Sequence, residues 1–106
     1  MRDYHRLQIW RRAHALAIAI HEVARRLRGN DFAGLRSQLT RAADSVAATI
    51  VEGCGAASPR EFARFLDMSI ESASETEYHL LSARDRRALP DTQWRTLSKE
   101  AEEIGS

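Results

Sequence analysis

Apolar side chains recur at steps of three and four along almost the whole chain, the spacing that lines one side of an α-helix. The first row reads Leu7, Trp10, Ala13, Ala17, Ile20, Ala24 and Leu27. A second row, Ile9, Leu16 and Val23, repeats every seven residues and widens that apolar face. The pattern predicts a first helix over residues 7–28, about 33 Å long at roughly 1.5 Å per residue. A face that wide suits contact with more than one neighbour. Gly29-Asn30-Asp31 punctuates the pattern, with Gly suited to a left-handed C-terminal position and Asp31 to an N-cap.

A second helix is predicted over 32–53, with Leu35, Leu39, Ala43, Val46 and Ile50 inward. Its other residues are small (Ala42, Ser45, Ala47, Ala48), which lets a neighbouring helix approach closely and suggests a central place. Gly53-Cys54-Gly55 breaks the row. Ser58-Pro59-Arg60-Glu61 then carries the clearest local signal: Ser58 as N-cap, Pro59 in the first helical position, Glu61 placed to close a capping box. The third helix is predicted over 59–87, with Phe62, Phe65, Leu66, Ser69, Ala73, Thr76, Leu80 and Ala83 inward. After Leu89-Pro90-Asp91, a short fourth helix over 92–104 turns Trp94, Leu97, Ala101 and Ile104 inward. No segment alternates as a strand does and no repeat is present. Short connections make sequential helices antiparallel, so the expected fold is all-α: one domain over 1–106, an up-down-up-down four-helix bundle.

Composition narrows the field. The chain has 106 residues, a 43% hydrophobic and 29% charged content, and one cysteine. That size is one small domain. A lone cysteine excludes an internal disulfide framework and favours a reducing compartment, so the expected location is cytoplasmic. The stretch Ala15 to Ile20 is far short of the roughly 20 apolar residues of a membrane span, and Met1 to Arg6 does not read as a secretory leader. No membrane association is expected.

The net charge of +1 is unevenly distributed. Residues 1–53 carry nine Arg against five acids, and residues 54–106 carry seven basic groups against ten acids. This asymmetry permits a basic surface for nucleic acid, or complementary packing of unlike faces; the preference for Arg over Lys also fits a GC-rich genome.

The ordered stretches Leu7-Gln8-Ile9-Trp10-Arg11-Arg12-Ala13, Gly34 to Val46, Ile50-Val51-Glu52-Gly53 and Ser58 to Leu66 resemble the four helix bundle protein family encoded in intervening sequences of bacterial large-subunit ribosomal RNA genes. The resemblance spans about residues 7 to 80. It implies a homopentamer, and kinship with the accessory proteins of diversity-generating retroelements, which engage a reverse transcriptase and nucleic acid.

Candidate chemistry is sparse. His14 and His21 share a face but supply at most half a zinc site, and they are expected in solvent. Glu71 and Glu75 share a face, yet no Glu-x-x-His pair accompanies them, so no metal site and no cofactor is expected. Cys54 between two glycines lacks an evident His partner and is expected as a buried core residue. No acid, base and nucleophile converge in the pattern, so no enzyme activity is expected. Arg41, Ser45, Glu52, Glu75 and Glu77 are expected near the bundle interior or a subunit seam, with a buried Arg–Glu pair setting helix register. Arg6, Arg11, Arg12, Arg25, Arg26, Arg28 and Arg36 form the candidate nucleic-acid surface. Arg25, Arg26 and Arg28 also complement the dipole at the end of the first helix, a sufficient structural reason for them, and Arg84, Arg86 and Arg87 play the same role at the end of the third. Aromatic residues are too few among these arginines to suggest base stacking, so binding would go through backbone phosphates and depend strongly on salt. The expected partners are other copies of the chain, RNA or DNA, and a reverse transcriptase. The alternative is a purely structural or protein-interaction oligomer with no nucleic-acid role.

Overall fold

The computed structural model describes residues 2–106; Met1, where the leader reading begins, lies outside them. Four helices follow one another: α1 (Gln8–Ala24), α2 (Ala33–Cys54), α3 (Pro59–Asp85) and α4 (Asp91–Gly105). Each packs on its sequence neighbours, and α4 closes the ring against α1. The result is the expected bundle, 44 × 23 × 19 Å.

The core follows the apolar rows. Ala13, Ile20, Leu39, Ala43, Val46, Ile50, Ala73, Leu80, Ala83 and Ala101 are fully enclosed. α2 contacts α1 and α3 but not α4, so it is a ring member rather than a central helix. Its small residues serve one close approach: a Cβ on Gly53 would stand 2.7 Å from the Cβ of Phe65.

Helix ends depart from the periodicity. α1 stops at Ala24, because Arg26 and Leu27 donate to the carbonyls of Val23 and Ala24 in a tighter i→i−3 turn. Leu27 remains buried, which is why the apolar row runs past the helix. Gly29 has the expected positive φ of 90°, but its ψ of 165° is extended, and it lies four residues beyond the cap Arg25. Asp31 is not the cap of α2: Asn30–Phe32 form a short 3-10 turn, and Phe32 holds the cap position without a side-chain bond. Ser58 caps α3 as expected, its Oγ accepting from the Glu61 N–H at 3.1 Å. The Glu61 carboxylate takes Arg64 at 2.7 Å instead of closing the box.

Ahead of α1, Tyr4–Arg6 form a 3-10 turn whose Asp3 side chain accepts from the His5 N–H. This arm lies against the other helices through the Arg2 N–H, which donates to the Cys54 carbonyl at 3.1 Å, and through the Arg2 guanidinium, 4.0 Å from the Phe62 ring centre. No helix is long and apolar enough to cross a membrane among the described residues.

Candidate nucleic-acid interface

The seven arginines singled out in the sequence fall into two groups at opposite ends of α1, about 26 Å apart for a 17-residue helix. At the N-terminal end, Arg12 bridges to α4, donating to Glu100 at 2.8 Å and Glu103 at 3.0 Å. Those two carboxylates hold its guanidinium charged. Arg11 donates to the His5 carbonyl at 2.9 Å, and Arg6 is exposed. At this end Arg12 is thus committed to holding the bundle closed, while Arg6 and Arg11 have no ion pair among the described residues.

The other end is different. Arg25, which pairs with Glu22 at 2.5 Å, is followed by exposed Arg26 and Arg28 without ion pairs among the described residues. Arg36 donates from Nη1 to the Leu27 carbonyl. Antiparallel topology brings the C-terminus of α3 to this same end, and with it Arg84, Arg86 and Arg87. Arg86 reaches across to the Asp31 carbonyl at 2.9 Å and lies 5.2 Å from the Phe32 ring centre. Arg84 lies 4.2 Å from the Trp94 ring centre and pairs with Asp85 at 2.8 Å. Arg95 of α4 pairs with Asp91 at 2.7 Å. Among the described residues these eight arginines pair with only three carboxylates, Glu22, Asp85 and Asp91. The basic end is thus larger than the sequence suggested, and the helix-dipole account of Arg84, Arg86 and Arg87 had concealed part of it. Helix order alone supplies the missing signal, since α1 and α3 must end on the same side.

The expected polar network is only partly assembled within the chain. Arg41, Glu52 and Glu75 are exposed on the outside of the bundle, and Glu75 meets only His79, at 3.4 Å. The buried Arg–Glu pair is absent among the described residues; the half-exposed Arg12 bridge takes the cross-helix role. Ser45 does lie in the α2–α3 seam, its hydroxyl 2.9 Å from that of Ser72. Ser69 donates to the Val46 carbonyl at 2.7 Å, the buried link between these helices that the sequence left unassigned. Glu77 is half-buried beside α4, where burial and then the charge of Glu102 push its carboxyl above the usual range.

Other candidates separate in space. His14 stacks on Trp10 at 4.9 Å, whereas His21 pairs with Asp44 at 2.9 Å. Tyr4, His5, Trp10 and His14 form one cluster, in which Tyr4 stacks on His5, Trp10 stacks on His14, and Tyr4 meets Trp10 edge-on. Cys54 is buried, and that burial pushes its thiol up despite the nearby Arg2. No three His, Cys, Asp or Glu residues are grouped so as to hold a metal ion among the described residues. A largely apolar cleft of about 380 Å³ between Ala19, Val23, Thr92, Gln93, Thr96 and Leu97 follows the α1–α4 seam.

Three comparisons bear on this arrangement. A family profile described as 23S rRNA-intervening sequence protein matches residues 5–106. A crystal structure from Bacteroides thetaiotaomicron, described as a protein of unknown function from the S23 ribosomal protein family, superposes with a TM-score of 0.84. It is 22% identical, covering 92% of this chain and 91% of that one, a likeness that establishes the fold. No curated protein matches the chain.

Proposed function

Since the chain belongs to the 23S rRNA-intervening sequence protein family, we propose that it is a non-enzymatic, homo-oligomeric bundle, a pentamer, that serves as a nucleic-acid-associated scaffold for RNA or for a reverse-transcriptase-like partner. The observation that carries this reading is the basic end, where arginines from the adjoining ends of all four helices outnumber the carboxylates paired with them. A guanidinium that donates to a carbonyl or lies over an aromatic ring, as Arg36 and Arg86 do, keeps its full charge toward solvent. Assembly multiplies that field, which attracts polyanions and raises their local concentration.

Contacts of this kind reach backbone phosphates and do not read bases. Structured RNA should bind at low salt and be released as salt rises, with a log–log slope of about −3 for three or four neutralised phosphates. A fluorescence-anisotropy titration of the full chain at several salt concentrations measures it. Absence of binding at low salt overturns the reading.

The Arg12 bridge to Glu100 and Glu103 favours the alternative, an oligomer whose arginines are structural. That account covers one end of the molecule; at the other, Arg26, Arg28 and Arg87 have no ion pair among the described residues.

A further inference from the structure

Within the basic end, the chain leaves α1 and enters α2 around an open cleft of about 530 Å³ lined by Arg25, Leu27, Arg28, Gly29 and Arg36. We infer that this cleft is a phosphate-binding site, taking a phosphate group that is either terminal or within a nucleic-acid chain. The inference deepens the nucleic-acid reading and rests on it for the source of the phosphate; the site itself stands on its own geometry.

Three features support it. The lining has three guanidinium groups and no carboxylate. Glu22 is engaged by Arg25, and neither Arg28 nor Arg36 has an ion pair among the described residues. Arg36 is preorganised: Nη1 is held by the Leu27 carbonyl, which leaves its remaining N–H donors for a ligand. A guanidinium fixed in this way loses little freedom when it takes a phosphate oxygen, and its fork matches phosphate geometry. Finally, the backbone at Gly29 is accessible. Its φ of 90° suits glycine, nothing stands within 4 Å of where a Cβ would be, and neither Arg28 nor Gly29 donates its N–H to another backbone group. A ligand oxygen can therefore approach the main chain as well as the side chains.

The test is an NMR titration of the full-length protein with inorganic phosphate, followed by short RNA with and without a 5′-phosphate. Phosphate should shift the Gly29 amide and the Arg28 side-chain signals saturably, ahead of the Arg6 and Arg11 signals at the far end. Arg28→Gln should weaken that binding about tenfold, as expected for loss of a charge-assisted contact. Arg6→Gln removes the same charge elsewhere and should leave it unchanged. RNA with a 5′-phosphate shifting these signals more strongly identifies the terminal group; equal shifts from both RNAs identify the in-chain phosphate. Equal losses in the two variants, or shifts spread over every arginine, overturn the site. Structured RNA that binds while Gly29 and Arg28 stay silent overturns the site and leaves the nucleic-acid reading standing. Phosphate that shifts them when no RNA binds sustains the site and removes that reading.

Discussion

Arg87 ends α3 with a φ of 61°, the only non-glycine residue with positive φ among those described. The Ala88 N–H reaches back to the Ala83 carbonyl at 2.8 Å, and the Arg87 N–H to Arg84 at 2.9 Å, which together make a Schellman closure. That position favours glycine, because a Cβ there crowds the carbonyl oxygen that follows. Arg87→Gly should raise stability by about 1 kcal/mol in urea unfolding while removing one positive charge from the basic end. Gly53 presents the opposite case. Its missing Cβ lets α3 lie against α2, so Gly53→Ala must move the Phe65 backbone or α2 itself and should cost about 1–3 kcal/mol in the same measurement. Sequence identified Gly53 only as a break in the pattern. Its place in the last turn of a packed helix makes it a contact residue instead.

At the scale of helices, the apolar rows located all four elements, since burial of a stripe is what holds each helix in place. Their ends were less legible. Leu27 keeps the row going after the hydrogen bonds have tightened, and Asp31 has a cap residue's chemistry but sits inside a 3-10 turn. A cap depends on local backbone geometry that composition leaves open. The seams between helices also differ in kind: hydroxyls join α2 to α3, whereas α1 meets α4 through an open cleft and the Arg12 bridge. Between α3 and α4, Glu77 is disfavoured as an anion by burial and by Glu102. Its carboxyl binds its proton more tightly folded than unfolded, so this group's contribution to stability falls as pH climbs from the ordinary carboxylate range through the raised value. Glu77→Gln should therefore be more stable than the parent near pH ~7, with the difference closing near pH ~4, where both forms are uncharged. Urea unfolding at the two pH values measures it. The partners that hold Asp3, Glu22 and Glu61 below the usual range give slopes of opposite sign, and the comparison with the parent cancels them.

Over the whole molecule, charge and apolar surface are both distributed by topology. Ile18 is 58% exposed on the outer side of α1 and Tyr78 is 64% exposed on α3. The proposed assembly gives such surface a place: sedimentation velocity should show a species five times the 12.0 kDa chain, whereas a monomer at micromolar concentration would remove the oligomeric part of the reading. The sequence by itself determined the class of fold, the four helices and most of the core, because a 3.6-residue period is a local property that burial enforces along each helix. It also contained every arginine of the basic end. What it did not decide was which of them stand together. Arg12 and Arg28 look alike along the chain, yet one closes a seam against Glu100 and Glu103 while the other lines an open cleft. Charge acts through distance in space, and only the antiparallel return of α3 brings Arg86 onto the α1–α2 turn and concentrates the positive charge at one end.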